Sequence, residues 1–317
     1  MKKILALFLV AVMLIGMAAC SKNEKTGVTV NIGVLKGPTG MGAAWLMDQN
    51  EQGLSANSYN FTIAGAPDVL TGQLISGDMD MAALPTNAIS TLYNKTEGKI
   101  TVLGVNALGV LYILENGDRI NSVANLEGKT ILASGQGSTA EYVLNYILEQ
   151  NGVSAEIFWA SEHSEAATLA LSGEYDIVML PEPFVTTVTT KNGSFRVALD
   201  LTREWEALGG GELTMGGIAV RTEFLEAHPD AVKAFVKEYA SSVAFTNAQP
   251  ADAAKLIAKY EIAAEEIAKS AIPRCNIVWL HGENYKAKLE NFLGVVYEAN
   301  PAGIGGKMPG DDFYQNY

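Results

Sequence analysis

The sequence predicts an α/β protein made of two similar lobes with mostly parallel sheets. Three observations carry that expectation. Strand-like and helix-like segments alternate through the first hundred residues, which is the pattern of parallel strands crossed by helices. A ten-residue phrase, Ser76–Pro85 (SGDMDMAALP), returns 96 positions later as Ser172–Pro181 (SGEYDIVMLP). The 317 residues suit two domains, and the 48% hydrophobic content can supply a full core without covalent staples.

The elements follow in order. Lys2 and Lys3 precede an apolar run from Ile4 to Ala19 that stops at Cys20. A basic start, a short apolar core and small residues before a cut describe an export signal. Met17-Ala18-Ala19-Cys20 resembles a bacterial lipobox, in which the cysteine is lipidated and becomes the new N-terminus. An ordinary signal peptide or an uncleaved anchor is the alternative. The expected division is 1–19 signal peptide and 20–27 lipidated tether, polar and glycine-containing.

Val28–Leu35 then reads as a strand ending in Gly37-Pro38-Thr39-Gly40, and Met41–Asn50 as a helix. Asn60–Ala64 is a predicted strand, Asp68–Ser76 a helix, Met79–Leu84 a strand, Pro85–Asn94 a helix and Thr101–Asn106 a strand. In the second copy, Thr130–Ser134 is a strand leading into Gly135-Gln136-Gly137-Ser138-Thr139. Each copy of the repeated phrase is a helix end, a turn, a short apolar strand and a proline at the strand's C-terminal edge. Thr214–Val220 reads as a strand that returns toward the first lobe. Helices follow at Thr222–Ala227, Pro229–Thr246, Pro250–Lys259, Ala263–Ala271 and Glu283–Ala299. The glycine-rich end from Gly303 to Gly310 reads as a tail.

The formal charge is −13, and near −15 once Lys2 and Lys3 are removed, with 20 basic against 35 acidic side chains. That excludes nucleic acid as a natural partner, which calls for a basic face. Besides Cys20 only Cys275 remains, so no internal disulfide forms. His163, His228 and His281 lie far apart without metal-ligand spacing, and no metal or cofactor is expected. Gly128-Lys129-Thr130 imitates the end of a phosphate-binding loop, but Val123 stands where that loop needs glycine and a strand follows instead of a helix. No Gly-x-Ser-x-Gly elbow is present. No catalytic residue is assigned.

Taken in order, the lipoprotein start, the Gly37-Pro38-Thr39-Gly40 loop, the Gly77-Asp78-Met79-Asp80 turn, and the edges Leu84-Pro85-Thr86-Asn87 and Leu180-Pro181-Glu182-Pro183 resemble the substrate-binding proteins of ABC importers. The resemblance is to the branch that handles nitrate, taurine, sulfonates and thiamine-precursor pyrimidines. It implies a type II periplasmic-binding-protein fold, α/β, with two lobes joined by two crossing strands. Lobe 1 would comprise 28–108 plus 218–317 and lobe 2 109–217, with crossings near Ala107–Val110 and Leu213–Gly217. It further implies a non-enzymatic monomer at the outer face of the cytoplasmic membrane or in the periplasm, held there by its lipid. Its partners would be a small-molecule ligand and an ABC permease. An enzyme on the same fold and a ligand-sensing lipoprotein are the alternatives.

In open α/β sheets ligands bind beyond the carboxyl ends of the strands, so the candidate ligand residues lie in those loops. Gly37, Pro38, Thr39, Gly40 and Met41 join a strand to a helix, where bare glycine backbone and free N–H groups meet polar atoms. Thr39 as a plain helix cap explains the same residues. Gly137, Ser138 and Thr139 form the matching loop, although Ser138 with Glu141 also reads as a capping box. Thr86, Asn87 and Glu182 follow the two repeated prolines. Glu182 in a cleft suits a cationic or N–H-rich ligand, and as a helix-start charge it needs no ligand. Lys36 could pair with an anionic group or with an acidic neighbour. Met215 and Gly216 lie on the return crossing. Trp45, Tyr112, Trp159, Trp205 and Met215 are candidate apolar walls. The expected ligand is an aromatic or nitrogen-containing metabolite, with a sulfonate-like anion as the other option.

Overall fold

The computed structural model describes residues 25–317. The expected export signal, the expected lipid site at Cys20 and most of the expected tether lie outside the described residues. Among those described, no helix is long and apolar enough to cross a membrane.

The chain first lays down β1 (Thr29–Leu35), α1 (Pro38–Glu51), β2 (Ser58–Ala64), α2 (Pro67–Ser76), β3 (Met81–Pro85), α3 (Thr86–Lys95) and β4 (Ile100–Ala107). It then builds β5 (Leu111–Asn116), β6 (Thr130–Ser134), α4 (Thr139–Gln150), β7 (Glu156–Ala160), α5 (His163–Ser172), β8 (Ile177–Pro181), α6 (Phe184–Lys191), β9 (Phe195–Asp200) and α7 (Leu201–Ala207). It closes with β10 (Gly216–Arg221), α8 (Thr222–Ala227), α9 (Pro229–Ala248), α10 (Pro250–Lys259), α11 (Glu265–Ala271), β11 (Ile277–His281) and α12 (Lys286–Ala299).

Two sheets result, in the orders β11-β4-β10-β3-β1-β2 and β7-β6-β8-β5-β9. Leaving out β11, the two orders superimpose: β2-β1-β3-β10-β4 runs as β7-β6-β8-β5-β9. The repeated phrase is thus the visible part of a repeated half. The helices before it, α2 and α5, both end in left-handed glycine caps, Gly77 at φ 89° and Gly173 at φ 82°, a conformation that only glycine adopts without strain. The expectation of mostly parallel sheets is corrected. In each half three strands pair in parallel, β2-β1-β3 and β7-β6-β8, but β10 runs antiparallel to β3 and β4, and β5 antiparallel to β8 and β9. The reason is topological: each of those strands enters its sheet from the other half.

Packing follows from side-chain periodicity. In β1, Val30, Ile32 and Val34 are fully buried on one face and meet Met41 and Leu46 of α1 and Phe235 and Tyr239 of α9. In α9, Val232, Phe235, Val236, Tyr239 and Val243 recur at helical spacing and are all buried. Burying each such side chain contributes about 1.5–3 kcal/mol. A second core runs through both halves, from Leu84 and Leu111 to Trp205 and Phe292. Pro38 opens α1 three residues before the predicted start, because a missing N–H is harmless in a first helical turn.

The glycine-rich end is part of the fold. Asn87 and Asn94 of α3 donate to the carbonyls of Gly303 and Ile304 at 3.1 and 2.8 Å. Ser90 donates to Ile304 at 3.1 Å, and Phe313 is fully buried.

Candidate functional site

The carboxyl ends of β1, β3, β6 and β8 converge. Pro85 and Pro181, which end the two repeated phrases, line one cavity between the halves. The cavity has a volume of about 100 Å3. Its walls are mainly apolar: Leu35, Leu84, Val110, Leu111, Ala107 and Ala140, with Pro38, Pro85, Pro181 and Met215. Polar groups are few and come from loop ends: Lys36, Thr39, Ser138, Thr139, His163 and Glu182. An apolar pocket with a few placed polar atoms is the ordinary form of a small-molecule site. Next to it lies a wider cleft of about 750 Å3, walled by Trp159, Tyr142, Asn87, Gln136 and Lys95 among others. Both spaces share Leu35, Lys36, Pro85, Ser138 and His163.

The structure brings most of the expected residues together. Gly37, Pro38, Thr39, Ser138, Thr139, Glu182, Met215 and Gly216 line the cavity, while Asn87 and Gly137 line the outer cleft. Gly40, Met41 and Thr86 do not reach either space. Gly40 sits with its Cα against the Leu35 carbonyl, where an added Cβ would lie 2.5 Å away. Met41 is fully buried, its sulfur 3.9 Å from the Cys275 thiol. Thr86 spends its hydroxyl on the Thr214 carbonyl at 2.6 Å.

Several polar groups are already occupied within the protein. Asn87 donates to the Gly137 carbonyl at 3.2 Å, and the Thr139 hydroxyl donates to Asn87 Oδ1 at 3.0 Å, so this pair ties one half to the other. The Gly137 N–H donates to Glu141 at 2.5 Å, and Ser138 Oγ accepts from the Ala140 N–H at 3.3 Å, a capping arrangement shifted by one residue from the expected box. Thr39 does not cap α1; its hydroxyl turns back to the Leu35 backbone.

Glu182 departs most from expectation. Its carboxylate is fully buried. One oxygen accepts from Arg274 Nε at 2.7 Å, and the other accepts from the Thr186 N–H and hydroxyl at 3.1 and 2.7 Å. Arg274 also donates to the Thr186 hydroxyl at 2.6 Å. A carboxylate with its charge balanced and both oxygens engaged has little left for a cationic guest. Arg274 precedes β11 in the first half, so this ion pair is a second tie between halves.

His163 opens α5 and was not a candidate. Its Nδ1 lies 2.6 Å from Ser134 Oγ at the end of β6, and Phe184 packs on the ring at 5.5 Å. The ring touches the cavity on one side, but protein surrounds it, and this desolvation pushes its pKa down to about 4. It is therefore a neutral imidazole under ordinary conditions. Among the described residues its Nε2 has no hydrogen-bond partner. Position 163 is the 96-residue counterpart of Pro67, and both line the outer cleft, so the repeat itself carried a signal for it. Arg274 had none, being an isolated basic residue in a short helical turn.

Of the candidate apolar walls, Trp159 lines the outer cleft and Met215 the cavity. Trp205 is core, packed on Tyr146 and Phe292. Trp45 stacks on Phe245 away from the site. Tyr112 lines neither space; burial, with the charges of Asp200 and Glu182, pushes its phenol up to about 12.

Comparison with known proteins fits this architecture. An ABC transporter protein from Parabacteroides distasonis is 22% identical with a TM-score of 0.75, over 91% of this chain and 99% of that one. The alkanesulfonate-binding protein SsuA from Xanthomonas axonopodis, solved bound to MOPS, is 18% identical with a TM-score of 0.69, over 89% and 95%. A Candida albicans protein described as having the generic periplasmic binding protein fold is 16% identical with a TM-score of 0.60, over 90% and 92%. No curated protein sequence matches the chain. The sequence model of the family described as menaquinone biosynthesis matches residues 49–290. The resemblance to the solute-binding branch drawn from the sequence therefore holds, and the fold is the type II periplasmic-binding-protein fold. The chain belongs to the menaquinone-biosynthesis family.

Proposed function

We propose that the chain is an extracytoplasmic solute-binding lipoprotein, anchored through Cys20, that closes its two halves around one small organic molecule and delivers it to an ABC permease. The observation that carries this reading is the cavity itself, walled by equivalent strand-end loops of both halves. A ligand that touches both walls binds the shut form better than the open one, and that difference drives closure. The ties Asn87–Thr139 and Arg274–Glu182 are direct bonds that closure would make. The fold neighbours named as ABC-transport and alkanesulfonate-binding proteins support the same reading.

An enzyme is the second reading, favoured by the family description and by the neutral His163 beside Ser134 in the cavity wall. One experiment separates them. The mature chain is screened by thermal shift against a metabolite library, and each stabilising compound is recovered and checked by mass spectrometry. A tight binder recovered unchanged supports transport. A binder converted catalytically overturns it.

A further inference from the structure

We infer that the first half carries a membrane-resting face: the surface around Lys25, Leu54 and Lys237 lies against the headgroups of an anionic bilayer when the chain is anchored. This rests on the anchored solute-binding reading and deepens it.

Reach comes first. Lys25 is the fifth residue after Cys20. At roughly 3.3–3.6 Å for each fully extended residue, it stands no more than about 18 Å from a lipid on Cys20. The described chain begins by fastening to one place on the fold. Lys25 Nζ donates to the carbonyls of Gly53 and Ser55 at 2.8 and 2.5 Å, and the Thr26 N–H donates to the Ala56 carbonyl at 3.0 Å. Leu54 sits within that loop and is 55% exposed. Thr29 and Ser58 open β1 and β2 just beyond it, so this surface lies at the opposite strand ends from the cavity. A short leash fastened there brings that pole, and not the cleft, down to the bilayer.

Chemistry comes second. Leu54 shares a shallow depression with Trp45, Gln49, Lys237 and Ser241. Trp45 is half-buried and stacks on Phe245 at 5.6 Å. A partly exposed indole beside an exposed leucine suits the headgroup level of a bilayer. The carboxylate of that depression, Glu238, is buried and accepts from the Ala56 N–H and the Tyr59 hydroxyl at 2.5 and 2.6 Å. Next to it α9 presents Lys233, Lys237, Ser241, Ala244 and Ala248 to solvent as one stripe without an acidic member, although Lys233 also pairs with Asp230 at 3.7 Å. Charge over the whole molecule acts in the same sense. Residues 109–217 hold 15 acidic against 5 basic side chains, whereas 25–108 with 218–317 hold 19 against 14. An anionic surface therefore repels the second half and turns the lysine-bearing pole of the first toward itself. One lysine near such a surface shifts the balance about fivefold toward contact. Anchoring supplies the high local concentration that lets so few groups suffice.

The test uses the full lipidated chain in vesicles of phosphatidylcholine alone and of phosphatidylcholine mixed with phosphatidylglycerol in equal parts. A fluorescent dye is placed at Leu54→Cys or, as the control, at Val197→Cys, which is exposed in the second half. Cys275 is buried and stays unlabelled. On the anionic vesicles acrylamide, a neutral quencher, should reach position 54 at least about fivefold less readily than position 197. On phosphatidylcholine the two should match. Lys237→Gln, an exposed change, should lower the ratio of resting to lifted molecules about fivefold, and high salt should remove the protection. Equal quenching at both positions on anionic vesicles overturns the inference, as does protection of position 54 that is indifferent to lipid charge or to Lys237→Gln. Protection that appears without vesicles and grows with protein concentration assigns the face to a second copy of the chain. Protection only in vesicles that also hold membrane proteins of the host assigns it to a protein partner. Either result overturns the lipid assignment. Mass spectrometry of the purified chain separates this inference from the reading beneath it. A lipidated Cys20 with an open position 54 sinks the resting face alone, and a chain without lipid sinks the anchored reading and the face with it.

Discussion

Arg274→Ala tests the tie between the halves most directly. The substitution removes the 2.7 Å contact to Glu182 and the 2.6 Å contact to the Thr186 hydroxyl. Glu182 is fully enclosed while the Arg274 side chain is 48% exposed. Stripping one partner from a wholly buried ion pair costs about 3–5 kcal/mol. Here water can enter where the arginine was, and Thr186 still holds the other carboxylate oxygen. The expected loss is therefore nearer that of a hydrogen bond to a charged group, about 1.5–3 kcal/mol. Urea denaturation read by tryptophan fluorescence measures it as a shift in midpoint at unchanged slope. Adding Glu182→Gln should recover part of the loss, because the stranded charge disappears with it. Because the bond joins the halves, the unliganded variant should also show a larger radius of gyration by solution scattering. A stability loss below about 0.5 kcal/mol, with no change in radius, would refute the view of this pair as a clasp.

Other outcomes follow from the same structure. The His163 pKa is depressed to about 4 by burial, against about 6.5 in an unfolded chain. The stability it contributes is then complete above pH 6.5 and is lost as pH falls toward 4, by about 2–3 kcal/mol. His163→Gln should flatten that part of a pH–stability curve. Cys275 is buried, and burial raises its thiol pKa, so a soluble thiol reagent should label this residue negligibly in the native chain and fully in the urea-unfolded chain. Phe313→Ala should cost about 3–5 kcal/mol in the same denaturation assay, as for any buried aromatic side chain; a negligible loss would show the C-terminal segment to be a loose appendage.

The repeat was the most legible part of the structure. Ser76–Pro85 and Ser172–Pro181 show in one dimension that two helices, turns and strands are equivalent, and Pro85 and Pro181 do meet at one cavity. Strands of the first half were legible because Val30, Ile32 and Val34 alternate and glycines punctuate them. β5, β7, β9 and β11 were not recognised; the antiparallel places of β5, β9 and β11 depend on strands far away in sequence. The site was legible at loop level only. A loop predicts where backbone gathers, not which way a side chain turns. Gly40 and Met41 directly follow Gly37–Thr39, yet the first turn of α1 rotates them into the core. Glu182 looked like a ligand group because its counter-charge, Arg274, lies 92 residues away. His163 looked idle because its partner Ser134 belongs to a neighbouring strand rather than to its own segment.

The strand order has a consequence for how the chain assembles as it is synthesised. The second sheet draws on one unbroken stretch, Leu111 to Asp200, and can form as soon as that stretch has emerged. The first sheet cannot. β3 and β4 are not neighbours; β10 must slide between them, and it arrives only with Gly216–Arg221. Until then two strand edges built from Met81–Pro85 and Ile100–Ala107 stand unpaired, and bare edges invite pairing with other chains. The hazardous interval for this molecule is thus early, while the younger half is already folded and the older half waits for its missing plank.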